Sequence, residues 1–134
     1  MDRWQRLGLQ PVGTCTDSEF IRRAFLDATG TLPAADRIEQ FLGDDRANKR
    51  EILVDELLGL TGDPKRDRFV EQWSAYWALK WGDLLRNNRN SLGDGGMWSM
   101  HNWLRNSFRE NKPIDKIARE IITAQGSMLE SGPA

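Results

Sequence analysis

Apolar residues recur along this chain at helical spacing almost from end to end. Phe20, Ile21, Ala24, Phe25 and Ala28 mark one face of a first helix. Thr16 and Glu19 form a capping box ahead of it, the threonine oxygen taking an orphan amide and the glutamate reaching back. Gly30 is placed to end it in a left-handed cap. Leu32-Pro33 then forces an extended joint, because proline disfavours the helical region for the residue before it. A short helix over 35–42 carries Ile38, Phe41 and Leu42 and stops at Gly43. A third spans about 47–60, with Ile52, Leu53 and Leu57 apolar and Glu56 marking its other face. Gly62-Asp63-Pro64 is a break, with Asp63 as N-cap and Pro64 as first helical residue.

The fourth helix, 64–86, is expected to be the longest. Phe69, Trp73, Trp77, Trp81 and Leu85 sit four apart, and each step overshoots one turn by about 40°. The stripe therefore drifts, Tyr76 and Leu84 widen it, and the helix is expected at the centre, with its tryptophans forming the core. Residues 87–96 are rich in asparagine and glycine and read as a loop. A fifth helix over 97–111 turns Met100, Trp103, Leu104, Ser107 and Phe108 inward. After Pro113, Ile114, Ile117, Ala118, Ile121 and Ile122 make the apolar face of a sixth, ended by Gly126. No stretch alternates as a strand would. The expected fold is all-α: a compact bundle of about six helices around a long Trp-rich one. Residues 1–15, broken by Gly8, Pro11 and Gly13, read as an irregular leader, 16–126 as the helical domain and 127–134 as a tail.

Composition narrows the function classes. A length of 134 residues is one domain's worth and buries a core without staples. A formal net charge of -1 argues against a general nucleic-acid binder. The mildly basic stretch from Lys80 to Arg119 is interrupted by Asp83, Glu110 and Asp115, as a solvated face would be. The single cysteine, Cys15, excludes an intrachain disulfide and a multi-cysteine zinc site. No apolar run approaches the ~20 residues of a membrane span. Met1 to Trp4 lacks the apolar core of a signal peptide.

Few residues carry readable chemistry. The tryptophans suit either a packed core or a stacking platform, and their helical spacing favours the core. His101, the only histidine, would have to serve any Ser-His-Asp or Cys-His arrangement. It sits one residue off the inward stripe, as a satisfied or surface histidine does, and is the weaker candidate. Asp27 follows Phe20 by seven and Ala24 by three, which places it on the buried side of the first helix, one turn from Arg23. Asp83 follows Tyr76 by seven and precedes Arg86 by three. Arg23, Asp27, Asp83 and Arg86 read first as an ion-pair network that fixes helix orientation. The other reading is a carboxylate pair working as acid and base. The loop at 88–93 echoes a calcium loop, but its twelfth position is Ser99 rather than a glutamate. No nucleotide loop, nucleophile elbow or zinc-protease motif is present, and no CxxCH for covalent haem.

Three segments together resemble a known family. They are Phe20 to Pro33, Trp73 to Arg86, and Trp98 to Glu120. In that order they are similar to the planctomycete cytochrome-c-associated domain of unknown function, the second such domain in those proteins. Arg23, Asp27, Gly30 and Pro33 match its first motif, and Trp77, Asp83 and Arg86 its second. Trp98, Trp103, Phe108, Pro113, Asp115 and Arg119 match its third. Asn87-Asn88 and His101-Asn102 depart from the pattern, the latter where an Arg-Asp pair is expected. The resemblance implies a module of large, exported, multidomain bacterial proteins, hence extracytoplasmic. It implies no cofactor in this chain, a covalent haem on a separate domain, and a chain truncated where such proteins continue. Its partners would be neighbouring domains or another protein. A structural or interaction role is expected. The alternative is part of an extracytoplasmic enzyme acting on glycans, with Asp27 and Asp83 as acidic groups.

Overall fold

A computed structural model describes residues 2–10, 12–127, 129, 132 and 133. It is all-helical among those residues: α1 Asp2–Arg6, α2 Asp17–Thr29, α3 Ala35–Leu42, α4 Lys49–Leu58, α5 Val70–Leu84, α6 Arg89–Arg109 and α7 Ile114–Thr123. Seven helices thus stand where about six are expected. The extra one, α1, lies inside the expected irregular leader, whose Pro11 is outside the described residues. Of the expected tail, only Ser127, Leu129, Gly132 and Pro133 are described.

Local chemistry explains the boundaries. At α2, the Glu19 amide donates to Thr16 Oγ1 (3.3 Å) and the Thr16 amide to Glu19 Oε2 (2.9 Å), which closes the capping box. Gly30 ends the helix at φ 69°. A Cβ there would collide with the Tyr76 ring of α5, so this glycine supplies both the turn and the close approach. α5 starts at Val70, six residues later than expected. The Asp67 carboxylate accepts from the Thr61 amide, Thr61 Oγ1 and the Gly62 amide, while Asp63 Oδ1 accepts from the Lys65 amide. Side chains that capture nearby amides favour turns over helix, and they hold residues 61–67 in one.

The expected loop at 87–96 is largely helical. Asn88 Oδ1 accepts from the Ser91 amide and caps α6, and only Gly93 (φ 64°, ψ 175°) interrupts the run. α6, not α5, is therefore the longest helix. α7 ends at Thr123, where Ala124 turns extended, three residues ahead of Gly126.

Two cores form. Ile21, Phe25, Phe41, Leu53 and Leu57 join α2, α3 and α4. Ala78, Met100, Leu104, Phe108 and Ile117 join α5, α6 and α7. α5 touches both groups, since Phe69 at its N-cap packs edge-on against Phe25 (5.0 Å). The tryptophans of α5 do not fill the core as expected. Its buried positions are Ser74, Ala78 and Gly82, while Trp73, Trp77 and Trp81 are half-buried beside them. The spacing between two helix axes depends on the side chains at the contact, and the small Ala78 packs in one core with Met100, Leu104 and Phe108 of α6. The indoles flank that core, and Trp73 meets Phe108 edge-on at 5.7 Å.

Candidate functional site

The second half of α5 and the first half of α6 enclose an open cleft of about 250 Å³. Ala78, Leu79 and Met97 form apolar walls, and Asp83, Asn87, Trp98 and His101 bring polar or aromatic groups. Trp98 is 57% exposed and meets the His101 ring edge-on at 5.7 Å. Asn87 ties the connection across, its Nδ2 donating to the Met97 carbonyl at 3.0 Å, while its Oδ1 is sealed without a partner. The Asn87 amide also bonds the Gly82 carbonyl (2.8 Å), and this closes α5 with Arg86 in the left-handed region at φ 56°. That conformation costs a non-glycine residue about 1–2 kcal/mol. Asp83 and His101 are thus brought into one cleft, and Arg86 sits beside it in the chain.

Arg23 and Asp27 lie elsewhere. Asp27 borders a second cavity of about 270 Å³ among α2, α4 and α5, lined by Ala24, Val54, Leu57, Trp73 and Trp77. Asp27 is exposed, contrary to its expected burial. Ile21, Phe25 and Thr29 define the buried line of α2, and Asp27 is about 200° around the helix from Phe25. Among the described residues, no ion pair within 4.0 Å joins Arg23, Asp27, Asp83 or Arg86 to any partner. The expected four-residue network does not form. Nor do the two aspartates share a cavity, as an acid–base pair acting on one substrate would. Trp77 Nε1 is buried without a partner.

The ion pairs that do bridge helices use other residues. Asp17 of α2 receives Lys49 (2.7 Å) and Arg50 (2.6 Å) from α4. Arg37 of α3 and Arg66 converge on Glu56. Glu71 of α5 receives Arg105 of α6 at 2.8 Å. Lys49 and Arg50 hold the Asp17 carboxyl below its ordinary value, and hydrogen bonds from Thr16 do the same for Glu19. Asp44 is lowered to about 2 by the side chain and amide of Arg46. Nothing in the sequence announces the Asp17 and Glu71 pairs, whose members are more than thirty residues apart.

α7 presents a further surface. Its apolar row is only partly used: Ile117 is 1% exposed, but Ile114 is 53% and Ile122 83% exposed. Lys112, just before it, pairs with Glu120 (2.8 Å) and lies over the Trp103 ring.

Among the described residues, no three His, Cys, Asp or Glu side chains converge as a metal site requires. Covalent haem needs paired cysteines beside a histidine, whereas Cys15 precedes α2 and His101 lies on α6. This donor set does not fit the group. No described helix is long and apolar enough to cross a membrane.

Two small cores spliced by one aromatic helix, with open clefts on it, define an all-α domain built around a helical hairpin. The chain belongs to the planctomycete cytochrome-c-associated family PSCyt2, a protein of unknown function (DUF1549), whose profile matches residues 1–132. No curated protein matches it significantly, and no solved structure does.

Proposed function

We propose that this domain is an interaction module of a larger, exported, multidomain bacterial protein, and that α7 docks it against an adjoining domain that carries c-type haem. The observation that carries this is the half-used apolar row of α7, with Ile117 buried and Ile114 and Ile122 left in solvent. Burying two such side chains against a partner contributes about 1.5–3 kcal/mol each. The cytochrome-c association of the family is what suggests this occupant. Such a protein would work outside the cytoplasm.

The test pairs this chain with the adjoining haem domain in a calorimetric titration. Wild type is expected to bind, and Ile122→Asp to bind at least tenfold more weakly with an unchanged melting temperature. Equal binding by the variant would remove α7 from the interface. The glycan-processing alternative finds less support, because its two candidate acids line separate cavities.

A further inference from the structure

The domain repeatedly builds one small device: a cation held between a carboxylate and an aromatic face. Lys49 bonds Asp17 at 2.7 Å while its Nζ sits 5.2 Å from the Phe41 ring centroid. Arg50 bonds Asp17 at 2.6 Å and lies 4.8 Å from Phe20. Lys112 bonds Glu120 at 2.8 Å and lies 5.2 Å from Trp103. The same two kinds of receptor, the Asp83 carboxylate and the exposed Trp98 indole, line the cleft between α5 and α6, and no described lysine or arginine lines it with them. Asp83 has no ion-pair partner within 4.0 Å among the described residues, and Trp is the best of the aromatic faces for a cation. Lys80 lies over the Tyr76 ring, Arg89 pairs with Asp94 and Arg105 with Glu71, and the one base among the described residues lining the cleft is His101, edge-on to Trp98. Arg86 is not among the residues lining the cleft.

We infer that this cleft binds a primary alkylammonium group, with Asp83 taking the charge, Trp98 its face, and Leu79 and Met97 the aliphatic stem. A volume of about 250 Å³ suits a chain of lysine length rather than a large ligand. The stem explains the apolar walls, because lysine buries its methylenes against apolar surface while its head seeks charge. A free amine and a lysine side chain of a protein share this chemistry. The site is independent of the α7 surface.

The probes are n-butylammonium, Nα-acetyl-lysine methylamide and neutral n-pentanol, each titrated into the whole chain while indole N–H resonances are followed by NMR. Both ammonium probes are expected to shift the Trp98 resonance saturably, and n-pentanol to bind at least tenfold more weakly. Asp83→Asn is expected to weaken ammonium binding at least tenfold, with its spectrum otherwise folded. Asp27→Asn, in the other cavity, is expected to leave it unchanged. A tighter lysine derivative would support a protein side chain as the source, and tighter butylammonium a free amine. Equal binding of n-pentanol, an unmoved Trp98 signal or undiminished binding by Asp83→Asn would overturn the site.

Discussion

The two halves of this domain solve the same packing problem differently. In α2, α3 and α4, large apolar side chains fill the interior and ion pairs at Asp17 and Glu56 seal the seams. In α5, α6 and α7, small residues take the buried positions of α5, its large aromatics are half-buried, and apolar and acidic groups stay in solvent. The first half ties its helices together with charge as well as apolar contact. The second keeps surface available, and both candidate binding surfaces, the cleft and the α7 face, lie there.

The largest expected effect tests that contrast directly. Phe41→Ala removes a fully buried ring and should cost about 3–5 kcal/mol in denaturant unfolding. Trp77→Ala, although it deletes more atoms, removes a half-buried one and should cost less than Phe41→Ala. Equal or greater loss at Trp77 would break the comparison. Gly30→Ala joins a left-handed penalty to a collision with Tyr76 and should destabilise by about 2 kcal/mol or more, read by thermal melting. Arg86→Gly relieves the left-handed turn and should stabilise by about 0.5–1 kcal/mol.

The smallest effect is electrostatic. The Asp44 carboxyl sits at about 2 against an ordinary 3.8, so the unfolded chain takes up its proton first as pH falls. Its contribution is complete above the unfolded value and is lost as pH drops through about 2. Melting temperatures measured down that range should fall, and Asp44→Asn should flatten part of the slope.

Much of the first half was legible because its signals are local. Thr16 and Glu19 are three residues apart and Gly30 closes the same helix, so the chain itself states where α2 begins and ends. The second half turns on tertiary choices. Trp73, Trp77 and Trp81 form one row at a spacing of four, and Ser74, Ala78 and Gly82 form another, one residue on. Hydropathy favours the first row, and only tertiary packing selects the second. The signal was present as small residues at regular spacing, but it ranks low on any scale of apolarity. Asp27 and Asp83 were visible as acids on helices, yet helical spacing could not tell which cavity each would border. The bridge from Asp17 to α4 depends on how two separate helices meet, which no local pattern encodes.

The Ser74, Ala78 and Gly82 row has one more consequence. Its middle member, Ala78, shares one core with Met100, Leu104 and Phe108 of α6 and so holds the longitudinal register of the hairpin, as a tooth holds a rack against its pinion. Sliding α6 along α5 by a single turn would displace it by about 5.4 Å and carry His101 and Trp98 away from Asp83. A bulky residue in place of Ala78 would alter the distance between Asp83 and Trp98 by shifting α6. The least conspicuous side chain of the aromatic helix would then decide whether its acid and the indole of α6 can hold the same ligand.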